Sequence, residues 1–221
     1  MPLWDFLSEY WPQFIAGAAV TLEQFALASA LTSVISVLFG LMKLSDSFVV
    51  RVIASTYIEF LRGTSLLVQI YWMYFVLPIF GLPIGNFAAG FIAVSMNAGA
   101  YGAELVRGGI QSVPRGQWEA AYALSLSPAK RMWRIILPQA LLIMLPAWGN
   151  LLIGVLKGTA LVSLISVADL MFAAKAINNN TFLSAQAFGT ALLLYYLMAR
   201  FLVTPAVRWL EARLRRKLSR S

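Results

Sequence analysis

FIAGAAVTLEQFALASALTSVISVLFGLM, residues 14–42, holds one charged side chain, Glu23, in a run that is otherwise apolar or weakly polar. About 20 predominantly apolar residues suffice for a helix to cross a bilayer. With no water there to satisfy them, the backbone N–H and C=O groups must pair within the segment, so the run is a transmembrane helix. A second stretch, Ala185 to Met198, has no charge at all. Over the 221 residues, 60% are hydrophobic and only 12% charged, about half the roughly 25% typical of soluble domains. The chain therefore reads as an all-α polytopic membrane protein, and soluble, disordered and nucleic-acid-binding classes are excluded. There is no Cys and no His, which removes disulfides, thiol nucleophiles, Cys/His metal sites and histidine acid–base chemistry together.

Working outward, residues 1–13 (MPLWDFLSEYWPQ) lack the basic start of a signal peptide. With Trp4, Tyr10 and Trp11 they read as an interfacial lead-in. Four more spans follow at about Val52–Val76, Phe87–Val106, Pro138–Leu156 and Ala185–Pro205, in a single transmembrane domain over residues 1–221. Leu77-Pro78 and the Gly81–Gly85 segment stop the second span. The third is rich in Ala and Gly, which permit close approach and predict a central helix. Pro146 and Gly149 predict a kink in the fourth. The connections after spans one and three and the chain beyond span five carry Lys43, Arg51, Arg107, Arg115, Lys130, Arg131, Arg134, Arg208, Arg213, Arg215, Arg216, Lys217 and Arg220; the other side carries only Lys157 and Lys175. This asymmetry predicts an outside N-terminus, a cytoplasmic loop at about 107–136 and a basic cytoplasmic tail at about 206–221.

The loop reads RGGIQSVPRGQWEAAYALSLSPAKRMWRIILPQA from Arg107. Pro114 and Gly116 break the chain before a helix at about Gln117–Leu124. Ser127 and Pro128 start a second, to about Ile136, with a hydroxyl to cap free amides and a proline where no N–H is needed. Trp118, Tyr122, Trp133, Arg131 and Arg134 are the residue types that anchor interfaces. The pair of helices suits either a docking surface or a loop packed on its own bundle.

Glu119-Ala120-Ala121, the turn at Ser125 and Leu137-Pro138 closely resemble the EAA motif of inner-membrane permease subunits of ABC importers. EFLRGTSLLVQIYWMYFVLP (59–78), NAGAYGAELVRGGIQSVPRGQWEAA (97–121) and LPQALLIMLPAWGNLLIGVLKGTALVSLI (137–165) resemble the polar amino acid uptake branch. The resemblance implies a type I importer permease with a two-helix coupling loop, in a bacterial inner membrane. It implies docking to an ABC ATPase dimer through Glu119, Ala120, Ala121, Ser125, Trp133 and Arg134. A second permease subunit, self or paralogue, and a solute-binding protein would complete the assembly. No cofactor is expected on this chain, because ATP and Mg are used by the partner ATPase. Two positions depart from the family. Ser125 stands where glycine is usual, costing about 1 kcal/mol if the turn needs a left-handed backbone, and Gly158 and Ala160 stand where Asp and Ser are frequent.

An amino-acid-like zwitterion needs a cation for its carboxylate and acceptors for its ammonium, and ionisable groups within spans are candidates by default. Lys157, at the outer end of span four beside Thr159, either holds the carboxylate or snorkels to headgroups. Asn150, seven residues earlier, shares its face. Asn97 and Tyr101 form an i, i+4 stripe, and Gln69 lies mid-span. Glu104 with Arg107, and Glu59 with Arg62, read as structural i, i+3 ion pairs. Two rivals remain at this point. One is a stand-alone channel, which would need no docking helices; the other is an intramembrane enzyme, for which Lys157 and Ser163 are a conceivable pair. Gly154, Lys157 and Thr159 do not complete a phosphate-binding loop, so ATP hydrolysis is expected in a separate subunit.

Overall fold

The structure is a computed structural model that describes residues 3–218. All regular elements among these residues are helical: α1 (Leu3–Met42), α2 (Phe48–Gly63), α3 (Leu66–Tyr71), α4 (Asn86–Gln111), α5 (Arg115–Ala123), α6 (Pro128–Arg131), α7 (Leu137–Thr159), α8 (Leu170–Thr181), α9 (Ser184–Met198) and α10 (Thr204–Leu218). Short wide or tight helical turns join several of them. Arg220, counted above on the cytoplasmic side, lies outside the described residues.

α4 is central, as its small residues predict. It runs parallel to α1, which Gln24 fixes by donating to Phe87 O (2.8 Å). Ser95 donates to Ala28 O (3.2 Å) and Ser36 to Gly99 O (3.3 Å). A Cβ on Gly102 would run into Ser36 Oγ, so this contact requires glycine. Tyr57 on α2 donates to Met96 O (2.9 Å) and stacks on Phe39 of α1, ring centroids 3.8 Å apart.

Three stretches are long and apolar enough to cross a membrane: Leu3–Met42, Pro128–Ile165 and Ser184–Arg216. A fourth is the bent pair Phe48–Gly63 and Leu66–Phe80. α4 falls short of that apolarity because its Gly, Ala and Ser side chains are covered by other helices rather than by lipid.

Several boundaries differ from those read in the sequence, each for a tertiary reason. Residues 3–13 form the first turns of α1, with Trp4 and Trp11 exposed and Phe6 fully buried with Phe14 against Leu170, Ala174 and Ala187. Span two is not one helix. It turns by 105° where Thr64 and Ser65 adopt extended backbone. The carbonyls freed there are collected by amides, Gln69 donating to Leu61 O (2.9 Å) and Thr64 O (3.4 Å), and Asn97 to Leu61 O (3.0 Å). The second short helix of the loop is not separate either: α6 is the first turn of a helical run that continues into α7 and on to Ile165. Likewise the basic tail is the helical continuation α10 of the last span.

Wide turns precede three prolines; after Pro138 and Pro205 the helix runs on into α7 and α10, whereas after Pro78 one tight turn, Leu77–Phe80, closes span two as its sequence predicts. Trp72–Val76, Met132–Ile136 and Ala199–Val203 each end two residues before a proline, namely Pro78, Pro138 and Pro205. The residue before each proline donates its N–H five positions back: Leu77 to Trp72 O, Leu137 to Met132 O and Thr204 to Ala199 O. Proline has no N–H and its ring crowds the preceding turn. Widening the coil by one residue absorbs both effects without breaking the rod.

The segment 157–184, which shows no clear pattern in sequence, is a tight turn (Ala160–Ile165) followed by α8. Asp169 caps α8, accepting from Phe172 N (2.8 Å) and Tyr195 Oη (3.2 Å), while Leu170 N donates to Thr21 Oγ1 (3.1 Å) on α1. Burial pushes the Asp169 carboxyl up to about 6, against the pull of these donors.

Candidate functional site

α5 starts after Pro114 and is held to the ends of α4 and α7 by half-buried Trp118, beside Ile110, Val113, Ile136 and Ala140. Its outer face exposes Glu119, Ala120 and Tyr122, and Leu124, Trp133 and Arg134 are exposed beside it. Ala121 is different: it is fully buried within the chain. Its small side chain lets α5 lie on its own bundle, so it is not available to touch a partner. The Arg131 guanidinium sits 3.8 Å from the centroid of the Tyr122 ring, fastening α5 to the start of the next helix.

Ser125 has φ 51°, the left-handed backbone that its place in the turn suggests. Leu126 N donates to Ala121 O (3.2 Å) and Ser125 N to Tyr122 O (2.8 Å), the paired bonds of a Schellman cap. A serine at this φ is strained, so Ser125→Gly is expected to raise stability by about 1 kcal/mol. A rise in the unfolding midpoint of the purified protein, with unchanged helicity, is the check.

A cleft of about 520 Å³ opens between α2, α4 and α7, lined by Arg62, Asn97, Tyr101, Glu104 and Asn150 among others. It brings together half of the polar groups singled out in the sequence. Glu104 accepts from Arg107 Nε (2.8 Å), the predicted i, i+3 pair, and also from Lys43 Nζ. Lys43 lies far away in sequence, and only the packing of α1 on α4 supplies it. The second predicted pair does not form. Arg62 lies over the Tyr101 ring, 5.2 Å from its centroid, and Glu59 is exposed with no ion pair among the described residues. An exposed ion pair is worth little, whereas the ring covers one face of the guanidinium.

Three other candidates fall elsewhere. Gln69 closes the break between α2 and α3. Thr159 is buried and donates to Leu156 O (2.7 Å). Lys157 stands in the last turn of α7, as read, but does not share the cleft with Asn150: it lines a separate groove beside Arg200 and Thr204. Ser163 accepts from Lys175 Nζ (3.1 Å) and donates to Ala160 O (2.8 Å), not to Lys157. Among the described residues, no cluster of three or more Asp or Glu side chains could hold a metal ion.

Residues 32–216 match the family of binding-protein-dependent transport system inner membrane components. The chain belongs to this family. A curated relative from Sinorhizobium fredii (strain NBRC 101917 / NGR234), the probable amino-acid ABC transporter permease protein y4tF, is 41% identical over 95% of this chain and 95% of its own length. The L-cystine transport system permease protein TcyB of Bacillus subtilis (strain 168) is 35% identical over 79% of this chain and 75% of its own. Among solved structures, a chain from the crystal structure of an amino acid ABC transporter with histidines superposes with TM-score 0.88 at 37% identity, covering 96% of this chain and 99% of that one. This family member is thus a multi-pass membrane permease subunit of an ABC importer, with the type I permease fold.

Proposed function

We propose that this subunit moves a polar amino acid, or a zwitterion of similar chemistry, from a solute-binding protein outside into the cytoplasm. A partner ATPase that engages the exposed face of α5 drives the movement. The observation that carries the reading is the cleft beside α4, where one cation, Arg62, faces the amide groups of Asn97 and Asn150 and the hydroxyl of Tyr101. Glu104 is already shared between Lys43 and Arg107, so it holds the cleft wall, and the acceptors for an ammonium are the amide and phenol oxygens. The names of the relatives favour an amino acid as cargo. A stand-alone channel is the less favoured reading, since it has no use for a helix such as α5, carried on its inner face by half-buried Trp118 and buried Ala121 and bare on its outer one. The N-terminus is placed outside and α5 in the cytoplasm on the charge asymmetry of the loops.

The test is reconstitution. The permease, co-expressed with an ABC ATPase and a cognate binding protein, should co-purify with the ATPase. In proteoliposomes it should accumulate a labelled amino acid only with ATP and binding protein present. Uptake without either would make the protein a channel.

A further inference from the structure

Of the α2 residues only Arg62 lines the polar cleft. Ala54, Ile58 and Leu61 are buried on one side of this helix, which Tyr57 ties to α4 through Met96 O. Four polar residues, Arg51, Ser55, Glu59 and Arg62, follow one another at intervals of four, four and three, so they share a second side. Val49, Ile53 and Phe60, each more than half exposed, share a third.

Of the three charges on the polar side, that of Glu59 is left unanswered. Arg51 donates to Ser45 O and Asp46 O (both 3.0 Å) at the start of α2, and Arg62 lies over the Tyr101 ring. Glu59 is exposed and has no ion pair among the described residues. Between Phe48 and Glu59 the helix rises about 16 Å at 1.5 Å per residue, close to the mid-depth of a hydrocarbon core about 30 Å thick. The bent pair of helices that holds Glu59 is apolar enough to be one span. An acid at that depth is costly against lipid and belongs beside water or a positive group.

We propose that Glu59 is a second charge of the cargo route, one turn inward of the cleft, and takes the ammonium of an α-amino acid whose carboxylate lies on Arg62. The proposal rests on the reading of the cleft as the cargo site and of the Phe48 end of α2 as cytoplasmic. Arg62 gives the Tyr101 ring only one face of its guanidinium, which leaves N–H groups at its edge for a carboxylate. Glu59 and Arg62 are separated by about 4.5 Å of helix rise at 1.5 Å per residue. An α-amino acid carries both of its charges on one carbon, so a single molecule spans the two groups. Together Glu59 and Arg62 are neutral, which suits a zwitterion and disfavours a cargo whose ammonium is blocked. Inward of Glu59 the same side of α2 offers half-buried Ser55 and then Arg51 at the cytoplasmic mouth. This side is thus a wetted path from the cleft to the cytoplasm, and Glu59 is its one acid.

The test uses the assembled permease–ATPase complex in inverted membrane vesicles, which present the cytoplasmic face. The chain has no native cysteine, so single thiols placed in it are read by mass analysis of this subunit. Methanethiosulfonate reagents attack the thiolate, which forms where water reaches. Ser55→Cys is expected to react with a trimethylammonium and with a sulfonate reagent of this class at least tenfold faster than Ile53→Cys on the apolar side. Adding Glu59→Gln should lower the ratio of cationic to anionic rate at least threefold, since a nearby carboxylate attracts the one and repels the other. Glu59→Asp in its place should keep the ratio. Glu59→Cys alone should also react from this face, and gives a reading if the double variant fails to assemble. Ser55→Cys and Glu59→Cys no faster than Ile53→Cys, or a rate ratio indifferent to Glu59→Gln, would overturn the proposal. Uptake in proteoliposomes separates it from the reading beneath. ATP-dependent uptake by Ser55→Cys with an unreactive thiol removes this route alone, whereas a wild type without ATP-dependent uptake removes the cargo reading as well.

Discussion

Glu119→Lys is expected to leave the permease folded and abolish coupling, lowering ATP-driven uptake to below about a tenth of the wild-type rate. Glu119 is the one acidic side chain of α5, and it stands exposed with no ion pair among the described residues. Arg115 stands one turn earlier on the same helix, and Lys130, Arg131 and Arg134 follow in the next helical stretch. Reversing its charge therefore costs the fold little, because an exposed side chain away from the core shifts stability by about 0.5 kcal/mol or less. At an interface the same reversal juxtaposes charges wrongly, which costs several kcal/mol. The measurement is ATPase stimulation by loaded binding protein in proteoliposomes, alongside uptake and the unfolding midpoint. Unaltered stimulation and uptake would remove α5 as the docking element.

Arg62→Met should cut uptake by about one to two orders of magnitude while leaving the ATPase bound. A charge-assisted hydrogen bond to a carboxylate in a partly dry cleft is worth about 1.5–3 kcal/mol, and 1.4 kcal/mol is about tenfold. Met keeps much of the stem that lies along Tyr101 and removes the charge. Arg62→Lys should recover part of the rate, since lysine keeps a point charge but not the planar fork or the stacking. The discriminating readout is substrate form. With the carboxylate of the cargo esterified, wild type and Arg62→Met should transport at the same low rate. Were Arg62→Met to move the free amino acid normally, the carboxylate would have to be held elsewhere, and the cleft would lose its assigned role.

Much of this was open to reading in the sequence, and the successes share a cause. Apolar runs, the small residues of α4 and the cap at Ser125 are local: each depends on residues within one or two helical turns, or on the solvent a segment prefers. The predicted pair Glu104–Arg107 formed for the same reason, at i, i+3 on one helix.

What pattern alone could not decide depends on which helix comes to lie against which. Arg62 turned from Glu59 to the Tyr101 ring because α2 packs on α4 and ends at the 105° break. Gln69 is committed to that break, and Glu104 gains Lys43 from α1. Lys157 left the cargo candidates because α7 meets the last helix in an antiparallel register that sets it beside Arg200. Hydropathy thus made this chain an all-helical membrane protein from sequence alone, and the resemblance of its motifs made it a permease subunit of an ABC importer. The tertiary structure decided which polar groups share a cleft, because the energy of a buried charge or amide is settled by neighbours that the chain brings in from tens of residues away.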